Sequence, residues 1–130
     1  MRWDDARTAY LAAAAASPRN FEGIPRINAA LAAFELGDYG VAEREAAKLK
    51  RRDPQLKDCD AVIATSRFAR GDLSGAAEAF NELCVETQWC DVYSREDAIK
   101  GRWPPSAVKA YRRMLQEPSI ARAVRNARAM

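Results

Sequence analysis

The chain of 130 residues contains no histidine. The commonest general base of enzymes and the commonest nitrogen ligand of metals are both missing. Cysteine is scarce: Cys59, Cys84 and Cys90 stand at steps of 25 and 6 residues, which match no zinc-binding spacing. This odd set reads as free thiols in a reducing compartment, such as the cytoplasm, an organelle matrix or a stroma; a Cys84–Cys90 bridge is the alternative. None of the six glycines belongs to a phosphate-binding loop. No apolar run approaches the roughly 18 residues of a membrane span, and Ala12 to Ala16 is too short and too weakly hydrophobic. Arg2-Trp3-Asp4-Asp5 leads straight into a helical pattern rather than a signal peptide. Asp4/Asp5 and Asp58/Asp60 are paired carboxylates that read as solvated helix surface. The expectation is a non-catalytic chain with no cofactor and no metal.

Aromatics make up only 8% of the chain and alanine is abundant, which suits closely packed helices around a thin core. The alanines are in register. Tyr39 is followed by Ala42, Ala46, Leu49 and Pro54 at steps of three, four, three and five. Leu73 is followed by Ala76, Phe80, Leu83 and Gln88 at the same steps. Trp3, Ala6, Tyr10, Ala13 and Pro18 keep them too, and so do Pro104, Ala107, Tyr111, Met114 and Ser119. Steps of three and four place these side chains on one helical stripe. The small alanine lets a neighbouring helix come close, and the bulky residue a turn later fills the space beside it. Gly37-Asp38 and Gly71-Asp72, 34 residues apart, precede two of these stripes. Glycine there supplies the positive φ that closes a helix.

These residues resemble the tetratricopeptide repeat (TPR) family. Gly37, Asp38, Tyr39, Ala42, Asp53 and Pro54 carry the resemblance in one copy, and Gly71, Asp72, Leu73, Ala76 and Phe80 in the next. The period of 34 is that family's, and the resemblance covers roughly residues 3–118. It departs from the pattern where Arg26 and Asp60 replace an early large residue, and where the alanine steps shorten from 36 to 34 to 31. The resemblance implies an all-α, right-handed helical-repeat solenoid of about three helix pairs in one domain. The expected units are a partial repeat at 3–18, repeats at 23–56 and 57–90, a divergent repeat at 91–118 and a capping helix at 119–130. It also implies a scaffold or adaptor that binds a protein partner, or a fixed subunit of a larger assembly. Carried over, the partner groove comprises Asn28, Leu31, Phe34, Glu35, Asp58, Val62, Thr65 and Phe68; ordinary inter-helix packing is the other reading of Phe34 and Phe68, which stand 34 residues apart. The carboxylate clamp known in part of the family is not expected, because the basic residues that would accompany Asn28 are missing.

Helices are expected at about 4–16, 25–36, 39–52, 56–70 and 73–87, with Pro18-Arg19-Asn20 as a loop. A break follows at Gln88 to Asp91, then a short helix capped by Asp91 or Ser94 and ended by Gly101. Further helices are expected at 106–116 and from Ser119 onward. Charge is uneven. From Arg102 to Met130 seven basic residues face one acidic residue, Glu117, so the rest of a chain of net charge +3 is net −3. Arg112, Arg113, Arg122, Arg125 and Arg128 form a basic surface that suits a solvated cap. The second reading is a grip on RNA or an anionic membrane surface, although the base-stacking aromatics are lacking. Lys48, Lys50, Arg51 and Arg52 suit the negative end of a helix dipole, with an acidic-partner site as the other reading. Trp89, Tyr93 and Trp103 either plug the core of the compressed copy or face a partner.

Overall fold

The computed structural model describes residues 2–16 and 23–129 and is all-helical, with no strand among them. The helices are α1 (Trp3–Ala16), α2 (Gly23–Glu35), α3 (Tyr39–Arg52), α4 (Asp58–Ala69), α5 (Leu73–Leu83), α6 (Thr87–Tyr93), α7 (Pro105–Leu115) and α8 (Pro118–Ala129). A 3-10 turn lies at Glu96–Ala98. The expected loop at Pro18-Arg19-Asn20 lies outside the described residues.

The Gly-Asp register has a structural counterpart. At the end of α2 the Asp38 amide donates to the Ala33 carbonyl (3.0 Å) and the Gly37 amide to Phe34 (2.9 Å). At the end of α4 the Asp72 amide donates to Arg67 (2.9 Å) and the Gly71 amide to Phe68 (3.0 Å). These pairs occupy the last free carbonyls of each helix and need a left-handed residue between them. Gly37 and Gly71 supply it, with φ of 85° and 90°. The aspartates then start the next helices; Asp72 accepts from the Gly75 amide at 2.9 Å. The expected stripes are buried: Ala42, Ala46 and Leu49 on α3, and Ala76, Phe80 and Leu83 on α5. On α1, Trp3, Ala6 and Tyr10 are only half-buried.

From α1 to α5 each helix packs on the next, and α2 also touches α4. The order then changes. Among the described residues no third pair continues the stack beyond α5 with comparable contact. The segment from Thr87 onward makes a seven-residue helix and a 3-10 turn, and α7 returns to lie on α2 and α4. Helix α8 covers α5 and α6 through Ile120, Ala123 and Ala127. One apolar cluster runs from Ile27 to Ala127, with Tyr111, Phe80, Ile99 and Met114 fully enclosed.

Two expectations near residue 90 are corrected. Helix α5 ends at Leu83 rather than 87, and a helix occupies the expected break. Cys90 and Tyr93 are buried and Trp89 half-buried, so one face of this short helix points inward. The expected helix ending at Gly101 is replaced by the 3-10 turn, whose exit uses the positive φ of Gly101 (81°). The free-thiol reading is also corrected, because Cys84 and Cys90 form a disulfide. The cysteines therefore carry no argument for a reducing compartment. Closing so short a loop restricts the unfolded chain, which in the chain-entropy picture stabilises the fold by about 2 kcal/mol. Cys84→Ser with Cys90→Ser is expected to lose about that much in urea unfolding, with no further loss on adding reductant. No described helix is long and apolar enough to cross a membrane.

Candidate functional site

The face of α2 and α4 expected to form an open groove is filled by the chain's own α7. Leu31, Val62 and Thr65 are buried beneath it or within α4's own packing. The Thr65 hydroxyl donates to the Ala61 carbonyl (2.7 Å). Glu35, the last residue of α2, accepts the Ala107 amide at 2.9 Å. That amide belongs to the first turn of α7, which has no cap of its own because Pro104 precedes it. A carboxylate at this place meets the positive end of the helix dipole.

Asp58 is likewise occupied. It is 5% exposed, and its two oxygens take a forked bond from Arg102, at 2.8 Å from Nη1 and 3.2 Å from Nη2. The Tyr93 hydroxyl also donates to it. The bond to Asp58 holds the Arg102 guanidinium above its ordinary pKa. Burial, then the bond to Asp58, pushes the Tyr93 phenol up. Asp60 is 3% exposed and meets Lys50 Nζ at 2.6 Å; Lys50 also pairs with Glu82. Burial pulls the Lys50 pKa down, but the bonds to Asp60 and Glu82 outweigh it and the net shift is upward. The solvated-surface reading of Asp58 and Asp60 is therefore corrected: both are buried and paired. Their place in the first turn of α4 suits the helix dipole. Tyr93 and Trp103 are core residues, and Trp103 meets the Tyr111 ring edge-on with centroids 5.4 Å apart.

The remaining groove residues fall into two hollows beside α7. Asn28 and Leu31, with Trp3, Tyr10 and Trp103, border one of about 170 Å³. Phe34 and Phe68 border the other, of about 280 Å³. Phe34 is 2% exposed, so this expected groove residue is core packing: its ring meets Tyr39 with centroids 4.7 Å apart, and the half-buried Tyr39 and Phe68 border the hollow above it. Ala69 and Ala110 leave the space open, and Lys109 and Arg113 stand at its rim one turn apart on α7. Both are exposed, and neither has an ion-pair partner among the described residues. No carboxylate lines the hollow. Sequence reasoning missed Tyr39, Ser106, Lys109 and Ala110 as lining residues. A signal was present: Ser106, Lys109, Ala110 and Arg113 repeat at steps of three, one and three beside the buried stripe of Ala107, Tyr111 and Met114.

The basic surface is not continuous. Arg112 pairs with Glu96, and Arg128 with Asp91 and the Ser94 hydroxyl. Arg113, Arg122 and Arg125 remain exposed and without ion-pair partners among the described residues.

Cys59 is fully buried and its thiol is pushed up from an ordinary 9.0 to about 12, first by burial and then by Asp60, Asp58 and Asp53. At pH 8 this lowers the thiolate fraction about a thousand-fold. Thiol reagents are expected to label Cys59 only as fast as the chain unfolds. The folded pKa is raised, so this stabilisation is full below pH 9.0 and is lost as pH climbs from there toward about 12. Labelling rates at pH 8 with and without urea check the first point.

Among the described residues no group of three or more Cys, Asp or Glu stands close enough to hold a metal ion. No family model, no curated protein and no solved structure matches the chain.

Proposed function

We propose that this chain is a non-catalytic interaction module, TPR-like over the α2–α3 and α4–α5 pairs, that serves as a scaffold or adaptor for a protein partner. The carrying observation is the 280 Å³ hollow, where an aromatic floor from two copies of the register meets two unpaired cations. Half-buried aromatic rings, here Tyr39 and Phe68, beside exposed charge suit a partner-binding anchor site. Catalytic equipment has little support in a chain without histidine, whose buried carboxylates are already paired.

Photo-crosslinking tests this reading. A photoreactive side chain at Ser106, which is exposed at the rim, is expected to give one dominant protein adduct in the native extract. The same group at Gln55, exposed and away from the hollow, is expected to give none. Equal, diffuse adducts from both positions would remove the hollow as the contact. The RNA or anionic-membrane reading has less support, since Arg112 and Arg128 are engaged within the fold. It calls for binding whose log affinity falls with log salt at a slope near −0.7 per single-strand phosphate contacted. Flat, weak binding to single-stranded RNA at physiological salt is the expected result.

A further inference from the structure

The geometry points to an acidic occupant for the hollow: a partner segment that rests one apolar side chain against the half-buried Tyr39 and Phe68 and sets side-chain carboxylates against Lys109 and Arg113. This inference rests on the docking function proposed above and adds the chemistry of the partner.

Size argues for a single side chain. An apolar cavity of about 150 Å³ accepts a benzene ring. The 280 Å³ here leaves room for a large aliphatic or aromatic side chain. Charge argues for the sign. Several cations on α3, α4 and α7 are neutralised within the fold: Lys50 by Asp60 and Glu82, Arg67 by Glu43, and Arg112 by Glu96. Lys109 and Arg113 have no ion-pair partner among the described residues, and both border the hollow beside Tyr39 and Phe68. Arg44 adds to the local field, since its guanidinium lies over Gly40, next to Tyr39. A basic segment would be repelled here, and a neutral one would leave both cations unpaired.

The spacing sets the register. Lys109 and Arg113 are one helical turn apart, about 6 Å along α7. Carboxylates two residues apart on an extended segment are separated by about 6.6 Å and can meet both. The occupant is therefore an extended stretch in which acidic residues alternate, with an apolar residue on the side facing the floor.

The test uses the full chain and two synthetic peptides, acetylated and amidated so that only side chains carry charge. One alternates Glu and Asp around a central Phe; the other replaces every acid with Lys. Binding is read by fluorescence anisotropy and located by amide chemical shifts. The acidic peptide is expected to bind, to shift Phe34, Tyr39, Phe68, Lys109 and Arg113, and to weaken as salt rises. Lys109→Glu with Arg113→Glu, both at exposed positions, is expected to weaken it about tenfold or more and to admit the basic peptide instead. If both peptides bind the hollow equally, or the reversal leaves the acidic peptide unaffected, the acidic assignment is overturned while docking stands. If neither peptide shifts the lining amides, the docking function itself is overturned.

Discussion

Asp58→Ala is expected to remove about 3 kcal/mol of stability, a large share of what a domain of this size holds. The carboxylate joins three parts of the chain: it opens α4, receives the Tyr93 hydroxyl from α6, and takes the Arg102 fork from the segment before α7. Without it the Tyr93 hydroxyl stays buried with no acceptor, since Tyr93 is 7% exposed. Arg102 fares better because 49% of its side chain reaches water, which keeps the cost below the upper end for broken buried pairs. Asp58→Asn, which keeps an acceptor but not the charge, is expected to lose about half as much. Arg102→Ala leaves the buried Asp58 carboxylate with the Tyr93 hydroxyl as its remaining donor and is expected to cost about 3 kcal/mol. Urea unfolding of the single and double variants supplies the coupling energy. A loss below about 1 kcal/mol for Asp58→Ala would mean that the three parts do not depend on the carboxylate.

The second large effect is expected from Tyr111→Ala, at about 4 kcal/mol. Tyr111 is completely buried on α7, its ring meets Trp103, and its hydroxyl donates to the Tyr93 carbonyl at the end of α6. The substitution removes ring contacts and also strands a helix-end carbonyl that has no following turn to use it. Burial, then the neighbouring Tyr93 and Asp58, pushes the Tyr111 phenol up, so it remains a donor at any pH where the fold survives. Tyr111→Phe separates the two contributions and is expected to cost about 1 kcal/mol. Hydrogen exchange locates the damage. In Tyr111→Ala the amides of α7 should lose protection before those of α3 and α5. Uniform loss would mean that α7 is not a separable element.

The local half of the fold was legible. Gly37 and Gly71 announced their turns because only a positive φ closes such caps, and the Ala42 and Ala76 stripes announced which faces meet. Phe34, expected in an open groove, is 2% exposed and packs in the core, because its spacing does not say which side of α2 another helix covers. What the register could not convey was placement across the chain. Nothing in the spacing of Ala107, Tyr111 and Met114 says which surface their stripe covers, so α7 was expected onward in the stack rather than on α2 and α4. The same limit hid Asp58 and Asp60. A carboxylate in a first helical turn reads as solvated until Arg102 and Lys50, 44 and 10 residues away, are seen to meet it. Trp89, Tyr93 and Trp103 were marked as unusual without a direction; Tyr93 and Trp103 turn inward, and Trp89 is half-buried.

The cap that Glu35 provides for Ala107 spans 72 residues. Helix pairs such as α2–α3 and α4–α5 assemble from near neighbours and close only short loops. Docking of α7 on α2 must close that long loop before the Glu35 cap forms, which is the kind of step that slows folding. The docking of α7 on α2 and α4 is therefore expected to follow the pairing of α2–α3 and α4–α5. A brief opening of α7 would expose the face of α2 and α4 while the paired helices beneath it stay intact.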